Sequence, residues 1–237
     1  MKKLYILIFL SVAFGQIYAQ KKQTKKTIKI IFVGNSLTYY HNIPKLLEEI
    51  GKIDNQKIKT TSFTNPDYSL EDHWNEGKVQ NALQKEHFDF MVAQQGSSAL
   101  PESQQMLKNY TQKYANECKK YGTELNLYMV WAMKSRFFDF DNVIYSYTEA
   151  AKFVNASLSS VGLAWKKVWE KMPDVAFYET DGLHPTKKAS ILASMVIYAR
   201  LFKKKDLSFL ELSQTSWAKD VSLEEFELFK MVVLGLD

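Results

Sequence analysis

Two hydrophobic rhythms alternate along this chain. Short runs that are apolar at nearly every position are separated by longer stretches whose apolar residues return every three or four places, the patterns of buried strands and amphipathic helices. The first run, over 27–33, stops at Gly34 and predicts a buried strand. A helix over 44–50 follows, with Ile43, Leu46, Leu47 and Ile50 on one face. The pattern then predicts a second strand over 57–63 and one helix over 69–83, with Ser69 as its cap and Asp72 three residues on. A third strand at 88–93 leads to a long helix at 101–121 that ends before Gly122. A fourth strand at 124–132, a loop over 133–141, a helix over 143–155 and a short fifth strand at 158–163 come next. Two amphipathic helices, 187–201 and 223–234, close the sequence. Strands alternating with helices predict an α/β chain, a mostly parallel five-stranded sheet with helices on both faces. Ligands of such sheets bind at the carboxyl ends of the strands. That rule puts Ser36, the loops at 64–70, 94–100 and 132–141, and the turn holding Asp181 and His184 on one rim.

The N-terminus changes the picture in one respect. Lys2 and Lys3 precede an apolar run over 4–14, and Ile17-Tyr18-Ala19 stands ahead of Gln20. This predicts a cleavable export signal over 1–19 and a secreted or periplasmic destination, the alternative being a retained anchor. No Cys lies near the cleavage point, which argues against a lipoprotein. A flexible basic leader is expected over 20–27 and a single domain over 28–237, long enough for a sizeable core. The formal net charge of +5 falls to +3 without Lys2 and Lys3, and part of that sits in Lys21, Lys22, Lys25 and Lys26. So small and terminal an excess argues against nucleic acid as a partner. Cys118 is the only cysteine and reads as a buried structural thiol. The four His residues lack zinc spacing, and Asp139 with Asp141 are too few for a calcium loop, so neither metal nor cofactor is expected.

The chemistry lies at the two ends of the α/β pattern. Gly34-Asn35-Ser36-Leu37-Thr38 follows the first strand, and Asp181-Gly182-Leu183-His184-Pro185-Thr186 precedes the helix at 187. A serine hydroxyl needs a neutral imidazole to take its proton and a carboxylate to fix the imidazole's tautomer. Ser36 as nucleophile, His184 as base and Asp181 as orienter meet that need and predict a serine esterase.

Those two segments resemble the first and last blocks of the GDSL/SGNH hydrolases. The resemblance spans nearly the whole chain after the signal. It implies a flavodoxin-like three-layer α/β/α sandwich and an acyl-enzyme mechanism. The middle blocks depart from the family. Where its second block offers a Gly amide to the oxyanion, this chain places Asp67 in Asn65-Pro66-Asp67-Tyr68-Ser69-Leu70; where its third block offers an Asn, Gln94-Gln95-Gly96-Ser97-Ser98 places Ser98. The latter segment is similar to the Gln-Gly-Glu-type block of carbohydrate O-acetylesterases, which implies a glycan ester substrate. Gln95 is then either the replacement oxyanion donor or a strand-end amide bonded to its own loop. Gly96 either lets a ligand approach closely or permits a turn. His73 and Trp74 either flank a sugar or pack on a neighbouring loop, and Tyr39, Tyr40 and His41 form an aromatic wall or pack inward. Trp131 is expected to reach substrate; Trp165 and Trp169 are not. Two further readings stand beside the glycan esterase: a non-catalytic glycan-binding relative, and a lipase or thioesterase of the same fold.

Overall fold

The computed structural model describes residues 25–236; the expected export signal and most of the basic leader lie outside them. β1 (Thr27–Gly34) pairs in parallel with β2 (Lys57–Thr64) on one side and β3 (Phe90–Ala93) on the other. β4 (Glu124–Tyr128) and β5 (Ser157–Ser159) extend the sheet in the order β2-β1-β3-β4-β5, all parallel. β1 is an interior strand, and its last five residues, Ile30 to Gly34, are buried. The order reverses between β1 and β3, so a crevice opens beyond their carboxyl ends. The register sets Gly34 beside Thr64 and Val33 beside Ala93, which makes 35, 65 and 94 neighbours on the rim.

The helices fall into two connected groups on the two faces. One holds α3 (Leu70–Glu76), α4 (Lys78–Lys85), α5 (Pro101–Tyr121) and α6 (Phe140–Val154). The other holds α2 (Ile43–Ile53), α7 (Val161–Trp169), α8 (Lys187–Leu201) and α9 (Leu223–Leu234). A single turn, α1 (Ser36–Tyr39), follows β1. α8 buries 12 of its 15 residues and packs against α2, α7 and α9, so it is apolar all round rather than amphipathic.

Several boundaries move for physical reasons. The helix expected at 69–83 is two helices, because Gly77 adopts φ +71° and ends α3; the Ser69/Asp72 capping box is present. The strand expected at 158–163 stops at Ser159, since Val161, Ala164, Trp165 and Val168 bury a helical face and begin α7 instead. β4 stops at Tyr128; beyond it Met129 bonds Ser159 and Gly162 through main-chain groups. Much of the expected 133–141 loop winds into a 3-10 segment, Lys134–Asp139, ahead of α6. Cys118 is buried against Met91, and burial pushes its thiol up to about 12, which keeps it protonated and inert.

Gly34 is required by close approach. A Cβ there would lie 1.9 Å from Gln94 Oε1 and 2.9 Å from Thr38 Oγ1, and Gln94 cannot swing away without breaking four buried hydrogen bonds. Gly34→Ala should therefore destabilise the fold by about 1–3 kcal/mol, as overpacking of a close-packed interior does. Urea unfolding measures it, and an unchanged midpoint would contradict this packing.

Candidate active site

Ser36 opens α1, and Asn35 is its cap: the Asn35 side chain accepts from Leu37 N–H at 3.1 Å. Asn35 is itself clamped by Gln94 across the ends of β1 and β3. Gln94 Oε1 accepts from the Asn35 main-chain N–H at 2.8 Å, while Gln94 Nε2 donates to Asn35 Oδ1 at 2.9 Å and to Gln95 O. Asn35 Nδ2 donates onward to Tyr68 O at 3.0 Å. The turn carrying Ser36 is thus tied to both neighbouring loops. Sequence reading missed this pair; its signal was Gly34, whose missing side chain makes room for Gln94.

The acid–base pair forms within one turn. Asp181 Oδ1 accepts from the main-chain N–H groups of Leu183 and His184 at 2.8 and 2.9 Å, and Oδ2 lies 2.6 Å from His184 Nδ1. The bonds from the His184 ring and the two amides hold the Asp181 carboxyl at about 2. It therefore stays ionised near neutral pH and can only accept, so in the neutral His184 ring the proton sits on Nδ1 and Nε2 presents a lone pair.

The two halves meet through Tyr40, four residues after Ser36. Its ring stacks on the His184 ring with centroids 4.4 Å apart and planes 19° from parallel. His41 Nε2 lies 3.3 Å from Glu179 Oε1, a second link from the same segment to the His184 loop. A cavity of about 340 Å³ opens beside Ser36, lined among others by Asp67, Tyr68, Gln95, Gly96, Ser98, Met133 and Leu183. A cavity of about 320 Å³ at the opposite ends of β3 to β5, near Glu124 and Ser157, lies apart from these residues.

The remaining site residues fall into different roles. Asp67 has φ +58°, a left-handed conformation that Gly adopts freely and Asp tolerates better than most residues. The backbone geometry of a glycine position is thus kept without the glycine. Tyr68 N–H turns to Asn65 O at 3.4 Å, which favours the Asp67 amide as this loop's donor. Gln95 bonds to its own loop, the second of its two readings: its Nε2 donates to Ser98 Oγ at 2.8 Å and to Ser103 O at 3.3 Å, and its main chain is held by the buried Tyr147 hydroxyl. Ser98 donates in turn to Gly96 O. Both side chains are used to fold the loop. Gly96 has open space where a Cβ would stand and φ outside the left-handed region, and it lines the cavity beside Ser36.

Trp131 is a correction. It is 0 % exposed, stacks on Trp165 at 3.8 Å, and its indole N–H donates to Leu183 O at 2.9 Å. Its large apolar ring is worth more in the core than at the rim, and it holds the His184 loop instead of touching substrate. His73 is likewise buried, bonding Gly34 O at 2.7 Å, and burial lowers its pKa. Trp74 packs edge-on against Tyr114. Tyr39 and Tyr40 are both exposed, so neither packs inward. Among the described residues, no group of three or more His, Cys, Asp or Glu is placed to hold a metal ion, and no helix is long and apolar enough to cross a membrane.

Comparison with solved structures settles the architecture. A DUF4886 family protein from Bacteroides uniformis superposes with a TM-score of 0.72 at 17% identity, covering 89% of this chain and 94% of that one. A protein from Slackia heliotrinireducens provisionally described as an SGNH hydrolase gives a TM-score of 0.63 at 21% identity, covering 74% and 100%. The chain has the SGNH hydrolase fold. A variant of an acetyl xylan esterase from Geobacillus stearothermophilus shares this fold at 13% identity and a TM-score of 0.53, covering 74% and 93%. No family model matches the sequence, and no curated protein matches it. In this fold Ser36 follows β1 and His184 precedes α8.

Proposed function

We propose that this protein is an exported serine esterase that removes acyl groups, the O-acetyl groups of glycans among them. The observation that carries the reading is the Asp181–His184 pair, held at 2.6 Å and stacked on the segment that begins with Ser36. Ser36 Oγ attacks the ester carbonyl as His184 Nε2 takes its proton. The imidazolium, stabilised by Asp181, then returns that proton to the leaving alcohol, and water releases the acyl group by the same relay. The developing oxyanion is met by main-chain N–H groups, that of Ser36 in the unpaired first turn of α1 and that of Asp67. The glycan part of the proposal is supported by the Gln95-Gly96 segment and by the fold shared with an acetyl xylan esterase; the export part is supported by residues 1–19 of the sequence.

A fluorophosphonate probe should label the protein at Ser36, mapped by peptide mass spectrometry. The inward bonding of Gln95 and Ser98 favours a second reading, a glycan-binding protein without turnover. Absence of probe adduct, together with retained binding of acetylated oligosaccharide, would select that second reading.

A further inference from the structure

The hydrogen bond to Asp181 fixes one atom of the His184 ring, Nδ1, and leaves the ring free to rock about that bond. A base that rocks misdirects Nε2, and a proton relay is sensitive to such misalignment. The structure supplies a second constraint from the nucleophile's own segment. Tyr40 N–H donates to Ser36 O at 2.9 Å, so the position of Tyr40 is set by the turn that carries the nucleophile. Its ring then covers the face of His184 at 4.4 Å and 19°. The next residue, His41, meets Glu179, whose main chain bonds His184 O at 2.9 Å and Gly182 N–H at 3.0 Å. Two successive residues after α1 therefore grip the two ends of the His184 turn. Tyr40 remains 45 % exposed, so core burial does not account for its placement.

We propose that Tyr40 is a positioning residue: its ring is a shelf that fixes the plane of the His184 imidazole relative to Ser36, with the His41–Glu179 contact as the second point of the clasp. This rests on the esterase reading above and adds a residue to it. The aromatic face is what acts, and the phenol hydroxyl is not needed.

The test compares Tyr40→Ala and Tyr40→Phe in the full chain. In Tyr40→Ala, kcat for p-nitrophenyl acetate should fall about 10- to 100-fold with KM nearly unchanged, and the rate of fluorophosphonate labelling of Ser36 should fall in parallel. Tyr40→Phe should stay close to wild type in both. In NMR spectra, the His184 ring protons should show an upfield ring-current shift in wild type and Tyr40→Phe that is lost in Tyr40→Ala, a signature that does not depend on turnover. Wild-type kcat and labelling rate in Tyr40→Ala would overturn the proposal, as would an equal loss in Tyr40→Phe. Failure of the esterase reading looks different, because the wild-type protein would then neither hydrolyse the ester nor take the probe.

Discussion

Ser36→Ala should lower kcat for short acyl esters by about 10⁴- to 10⁶-fold while KM stays nearly constant, since removing the nucleophile of a triad leaves only binding and oxyanion contacts to assist water. The fold should be spared. Ser36 is the first residue of α1 but not its cap; that role belongs to Asn35, whose bonds to Leu37, Gln94 and Tyr68 do not involve the Ser36 hydroxyl. An alanine at this position therefore keeps the clamp between β1 and β3. Steady-state kinetics beside a urea melt separates the two effects, and near-wild-type turnover in this variant would remove Ser36 from the reaction.

His184→Ala should lose nearly as much activity, and Asp181→Asn somewhat less, about 10³- to 10⁴-fold. The asparagine case follows from the tautomer. Asp181 Oδ1 serves two main-chain N–H groups and Oδ2 accepts from His184 Nδ1. With asparagine, the amide oxygen satisfies the main chain and the NH₂ group faces Nδ1. The imidazole must then accept at Nδ1 and carry its proton on Nε2, where it blocks proton removal from Ser36. Because the wild-type carboxyl sits at about 2, it is ionised throughout the range of an ordinary assay. A fall in wild-type activity on acidification above about pH 4 therefore does not report this carboxylate. Asp181→Asn retaining more than about a tenth of wild-type kcat would contradict the tautomer argument.

The sequence made the large elements readable where one rhythm dominated. The helices at 101–121, 187–201 and 223–234 stand where the pattern placed them, and β1 ends where Gly34 interrupts a β-branched run. It failed where two rhythms overlapped: residues 158–163 are apolar enough for either a strand or a helix, and only packing onto Val130 and α8 decides for α7. The candidate site shows the same division. The Asp181–His184 pair was readable because its spacing is local, three residues within one turn. Gln95 was left between two readings and Trp131 was misread because their direction is set by contacts that periodicity does not carry, Ser103 and Tyr147 for one, Leu183 and Trp165 for the other. The Tyr40–His184 stack joins residues 144 positions apart by number, and periodicity carries no trace of it.

Trp131 and α8 also fix when the site can exist. Ser36 is made with the first strand and turn, but His184 hangs on a loop that the Trp131 indole anchors and that runs directly into α8, whose Thr186 cap lies two residues past His184. α8 is buried on all sides, so it docks only once α2, α7 and α9 are there to receive it. On the esterase reading, a chain still emerging from the ribosome thus carries Ser36 before the loop that holds His184 is docked. On that reading the proton relay is assembled only after α8 and α9 have been made, and order of synthesis alone keeps a shorter nascent chain silent.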